Sequence, residues 1–137
     1  MTPEPLFTEL DHVAIAVRDL DAAVAFYQEA FGARVEHREV VERDGVEEAL
    51  LKVADSYIQL LTPVTDSSPV AKFLDTRGEG LHHVGFRVDD CAEALRAARE
   101  AGVRSIDEAP RPGSRGTTVA FLHPKSALGT LIELVEE

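Results

Sequence analysis

The chain has 137 residues, 45% hydrophobic and 28% charged, a length and composition that suit one compact globular domain or two small modules sharing a core. Its 25 acidic against 14 basic residues give a formal charge of −11, which opposes nucleic acid and anionic membrane surfaces as partners. The apolar runs are too short to cross a bilayer, the opening MTPEPLFTEL lacks the basic-then-apolar order of a signal peptide, and the one cysteine, Cys91, fits a reducing cytoplasm.

In chain order, Leu10–Val17 alternates as a strand. Val13, Ile15 and Val17 point one way while His12, Ala14 and Ala16 point the other. Asp19 then caps a helix whose apolar face is expected through Ala23, Phe26, Tyr27 and Ala30, closed by Gly32. Strands are predicted at Val35–Val41, Val46–Val53 and Tyr57–Leu61. A linker follows at 63–79, with one short helix around Val70–Thr76.

The second half repeats the first. A shift of 71 residues matches Leu10 with Leu81, His12 with His83, Val13 with Val84, Val17 with Val88 and Asp19 with Asp90, eight identities in the 21 positions from Leu10 to Ala30. One deletion later, Gly32 meets Gly102 and Arg34 meets Arg104. The second helix has its apolar face at Ala94, Leu95, Ala98 and Ala101, and strands are expected at Val103–Ile106, Thr117–His123 and Thr130–Val135. The architecture is therefore α+β: tandem β-α-β-β-β modules at 8–62 and 80–137, forming an open eight-stranded cup in a single domain spanning 1–137.

The repeat also selects a site. If Val13, Ile15 and Val17 pack beneath the helix, His12 faces the cup, and so does His83. The last strands, YIQLL and LIELV, pair Gln59 with Glu133 between matched apolar residues. Alone, each of these four reads as a structural or solvated residue. As two equivalent pairs of one parity, His12, Gln59, His83 and Glu133 form a candidate site for one divalent ion, with positions left for a substrate. Cobalt, zinc, manganese, magnesium and nickel all accept such nitrogen and oxygen ligands. His37 and His123 fall outside the pairing and read as structural or surface residues, and Cys91 as a small apolar one. Glu47 and Glu48 each alternate with apolar neighbours, so periodicity leaves open which one looks inward.

The matching pieces LDHVAIAVRDLDAAVAFY, SPVAKFL, GLHHVGFRVDD and FLHPKSALGTLIEL resemble the vicinal oxygen chelate superfamily, and within it the methylmalonyl-CoA epimerase family. The resemblance runs from Leu10 to Glu133, with HPKSALGTLIEL its more discriminating part. It implies metal ligands at the same four positions, and a proton-transferring glutamate at Glu48 through the motif Gly-Val-x-Glu. It further implies inversion at C2 of a CoA thioester through a metal-stabilised enolate, with Glu48 and Glu133 as the two proton carriers, and a homodimer. For the CoA phosphates the basic candidates are Lys125 and Arg115, with Ser126 beside them. A glyoxalase I type isomerase and a non-catalytic small-molecule binder share the fold. The HPKSALGTLIEL stretch and Glu48 argue against the first, and a binder has no use for Glu48. An extradiol dioxygenase needs a redox-active iron on a face of two histidines and one glutamate, and a fourth ligand at Gln59 would crowd its open positions.

Overall fold

The structure is a computed structural model that describes residues 4–137; residues 1–3, at the head of the expected single domain, lie outside the described residues. The chain divides into two compact units, one of residues 12–82 and one of residues 83–137 together with the N-terminal segment up to residue 11.

The 12–82 unit takes up strand β1 (Glu9–Ala16) from His12 onward, then helix α1 (Leu20–Phe31), strands β2 (Val35–Val41), β3 (Val46–Val53) and β4 (Ser56–Pro63), and helix α2 (Pro69–Arg77). Its strand order is β2-β3-β4-β1, with β1 parallel to β4 and the other pairs antiparallel. The parallel pair requires a crossover, and α1 supplies it. Asp19 caps α1 by accepting the Ala22 N–H at 3.0 Å, and Gly32 ends it at φ 66°, a left-handed value that costs glycine little. The helix buries Leu20 and Val24 against Val17, Ala49, Leu51 and Leu60, with Ala23 and Tyr27 packed beside them. Phe26, expected on that face, is 57% exposed, and Ala30 is exposed as well. The stripe is rotated because Leu20, in the first turn, brings its own side of the helix down onto the sheet.

Helix α2 packs on the opposite face of the same sheet. Its Val70 and Leu74 meet Ala14, Ala16, Val46 and Leu61. Ser68 starts it, accepting the Val70 N–H. Both faces of this sheet are therefore apolar at the α2 end.

The other unit contains β5 (Gly80–Arg87) from His83 onward, α3 (Cys91–Glu100), β6 (Arg111–Pro112), β7 (Thr118–Leu122) and β8 (Ile132–Glu136), in the order β5-β8-β7-β6. Asp90 caps α3, whose Ala94, Leu95 and Ala98 cover Val88, Ala120, Leu122 and Leu134 as their spacing predicts, while Ala101, expected on the same face, is the exposed C-cap. Cys91 lies in that cluster, and burial, followed by the charge of Glu136, pushes its thiol up to about 11. The strand expected at Val103–Ile106 does not form. Only Ser105 bridges to β7, and a two-residue strand at Arg111–Pro112 takes the edge instead. Two backbone bonds, Ile106 N–H to the Phe121 carbonyl and His123 N–H to the Arg104 carbonyl, flank that bridge. Beyond it Arg99 claims the carbonyls of Asp107 and Glu108 and the Ser105 hydroxyl, while the Asp107 carboxylate accepts the Phe121 N–H, so side chains take over from the ladder. With that exception, the α+β composition, two modules of four strands and a crossover helix, is as expected. No helix among the described residues is long and apolar enough to cross a membrane.

Candidate active site

The position of α2 defines the polar patch in the 12–82 unit. Along each strand, two residues from an α2 contact and on the same face, stands a polar side chain: His12 beside Ala14, Gln59 beside Leu61, and Glu48 beside Val46. The register turns this into one direction. Ala14 lies opposite Gln59 in the parallel β1·β4 pair, and Glu48 lies opposite Leu61 in the antiparallel β3·β4 pair. Moving away from α2, the strands therefore change from alanine, leucine and valine to histidine, amide and carboxylate together.

Within the patch, the Gln59 Nε2 amide donates to the Glu48 carboxylate. That bond fixes the amide with its nitrogen toward Glu48. Its Oε1 is buried without a hydrogen-bond partner among the described residues. An amide oxygen held this way costs free energy unless a cation or donor meets it. His12 is 4% exposed and Glu48 is 0% exposed. The doubled acid is thereby resolved: Glu47 points to the other side and its carboxylate accepts from Arg38 Nε at 2.9 Å near the surface, while Glu48 is sealed.

In the other unit His83 and Glu133 stand on the face opposite α3. His83 Nε2 and Glu133 Oε1 are 3.1 Å apart and both residues are buried. Phe121, across from Glu133 in the β7·β8 ladder, sets its ring edge-on to the imidazole, with centroids 5.2 Å apart. The Arg111 guanidinium covers that ring from further out. Each unit thus presents a histidine and an oxygen donor from its first and last strands. Imidazole nitrogen and carboxylate or amide oxygen are donors that a divalent cation accepts, and within the 12–82 unit the unmet Gln59 oxygen is what such an ion would satisfy.

The remaining candidates fall elsewhere in this unit. Arg115 gives its guanidinium to Asp11 at 2.8 Å and to Glu137 at 3.2 Å. Burial acts to lower its pKa, and the charge and hydrogen bond of Asp11 override this and raise it. Lys125 is exposed on the turn Pro124–Ser126, and the Ser126 hydroxyl accepts the Arg104 N–H at 2.9 Å.

Two groups were not read from the sequence. Asp11, fully buried, binds both Arg87 and Arg115; its only signal was a carboxylate at the head of an apolar strand. His37 and Glu39 pair at 2.6 Å on β2, on the same face as Glu48. His37 lies outside the repeat, so only strand register reveals that neighbourhood.

A family model described as the glyoxalase/bleomycin resistance protein/dioxygenase superfamily matches residues 11–121. The solved methylmalonyl-CoA epimerase of Mycobacterium tuberculosis is 44% identical, with a TM-score of 0.94 over 99% of this chain and 92% of that one. A variant of the Streptomyces coelicolor methylmalonyl-CoA epimerase in complex with 2-nitronate-propionyl-CoA is also 44% identical, with a TM-score of 0.93 over 96% of this chain and 98% of its own. An ethylmalonyl-CoA/methylmalonyl-CoA epimerase of Cereibacter sphaeroides is 39% identical across 91% of this chain and 95% of its own length.

Proposed function

The chain belongs to the glyoxalase/bleomycin resistance protein/dioxygenase superfamily, and we propose that its two histidine–oxygen pairs serve one divalent ion in the interconversion of (2R)- and (2S)-methylmalonyl-CoA. It is an epimerase of that CoA thioester. The observation that carries the reading is the sealed Glu48 carboxylate bonded to Gln59, whose own oxygen is left for a cation.

His12, Gln59, His83 and Glu133 are the ligands in this reading. A divalent cation bound there supplies positive charge for an enolate oxygen. The rest of the chemistry belongs to the side chains. The C2 hydrogen lies between a thioester carbonyl and a carboxylate, so its removal leaves a planar enolate. Glu48 carries a proton to or from one face of C2, and Glu133 serves the other. The Gln59 amide holds the Glu48 carboxylate in place through its Nε2. The buried setting of Glu48 keeps bulk water from competing for the proton.

Lys125, with Ser126 beside it, is the contact for the CoA phosphates, since it is basic and exposed on its turn. Arg115 is a weaker choice because its guanidinium is engaged by Asp11 and Glu137. A homodimer in the cytoplasm is the setting.

His12→Ala and His83→Ala test the ligand set by metal analysis of purified protein. Each is expected to lower bound metal and activity together. Full metal stoichiometry in both would remove the assignment.

A further inference from the structure

Beside Glu48 the edge strand β2 carries a pair that the epimerisation chemistry above does not use. Glu39 lies directly across from Glu48 in the antiparallel β2·β3 register, and His37 is two residues along on the same face. His37 Nε2 meets Glu39 Oε1 at 2.6 Å, and one nitrogen or oxygen of each of His37, Glu39 and Glu48 lies within 4.8 Å of the others. Exposure is graded across the three. Glu48 is 0% exposed, whereas the side chains of His37 and Glu39 are 35% and 33% exposed. The couple therefore lies between a sealed carboxylate and water.

A two-carrier epimerase needs such a connection. Each inversion loads a proton onto one carrier and takes one from the other, so the protein ends every turnover in the opposite protonation state from the one it began in. A second turnover in the same direction requires one proton to leave and another to arrive. A carboxylate with no exposed surface cannot trade its proton with bulk water directly. Charge balance alone is the competing explanation. Two carboxylates facing each other on neighbouring strands repel, and a histidine on Glu39 relieves that.

We propose that the His37–Glu39 couple is the relay through which Glu48 exchanges its proton with solvent between turnovers, a reading that rests on Glu48 being a proton carrier. The transfer balances simply. One proton passes from the Glu48 carboxyl to the couple, directly or across one water, and one proton leaves the exposed end of the couple to solvent. No electrons move, and the reverse passage reloads Glu48 for the opposite direction. Neither residue touches the substrate; both act through Glu48.

The test separates chemistry from reset. Metal-loaded wild type, His37→Gln, Glu39→Gln and Glu48→Gln are each run in two regimes: a single turnover with protein in excess of (2R)-methylmalonyl-CoA, and steady state at saturating substrate. In His37→Gln and Glu39→Gln the single-turnover rate is expected to stay within about twofold, while steady-state kcat falls about tenfold or more, and added imidazole restores part of it in His37→Gln. Equal loss in both regimes would show that the couple only holds Glu48 in place, and wild-type behaviour in both would show that it is idle; either overturns the relay. Glu48→Gln is expected to lose the single turnover itself. If it keeps that turnover, the base assignment has failed, an outcome distinct from failure of the relay.

Discussion

Glu47 and Glu48 are adjacent and chemically identical, yet the sheet gives one an arginine at the surface and the other a fully buried place beside an amide. Glu48→Gln is expected to slow epimerisation by roughly a hundredfold or more, the usual scale for a positioned acid or base, with metal content retained. Glu47→Gln, which removes only a surface contact with Arg38, should be nearly silent in the same assay. Alternation alone could not choose between them, because α1 covers Ala49 and Leu51 on one face while α2 covers Val46 on the other. Cys91 poses a simpler question. Its thiol, pushed up to about 11 chiefly by burial, stays protonated at pH 8 and should resist alkylation in the folded protein, then react readily in denaturant. Rapid labelling of the native protein would mean that α3 opens.

At the scale of elements, Asp11 ties distant parts of one unit together. Its carboxylate takes Arg87 from β5 and Arg115 from the turn before β7, at 2.8 Å each. Asp11→Ala leaves two largely covered guanidinium groups without their central anion and is expected to cost about 3–5 kcal/mol in denaturant unfolding. A loss below about 1 kcal/mol, the level of a surface pair, would show that water takes over the role. This tie was not legible in the sequence, since the residues are 76 and 104 positions apart and none repeats. The helix starts were legible, because Asp19 and Asp90 form their caps through local chemistry alone. The edge of the second unit was not. There Arg99 takes the Asp107 and Glu108 carbonyls and the Asp107 carboxylate takes the Phe121 N–H of β7, and no periodicity signals such bonds.

Across the whole molecule the charge of −11 opposes an anionic CoA thioester, so affinity must come from local basic groups. Lys125→Ala is expected to weaken CoA-thioester binding, and wild-type affinity should fall as salt rises because exposed charge pairs are screened. Affinity that ignores both would place recognition in the acyl and pantetheine parts. The candidate ligands were readable because duplication wrote them twice, as histidine on each first strand and an oxygen donor on each last strand. The measurement that bears most directly on the account is incubation of the protein with (2R)-methylmalonyl-CoA in deuterated water, with and without a chelator. The predicted result is deuterium at C2 together with formation of the 2S epimer, both lost on chelation and restored by a divalent ion. Absence of exchange, or exchange and inversion that continue unchanged after the metal is removed, would contradict it.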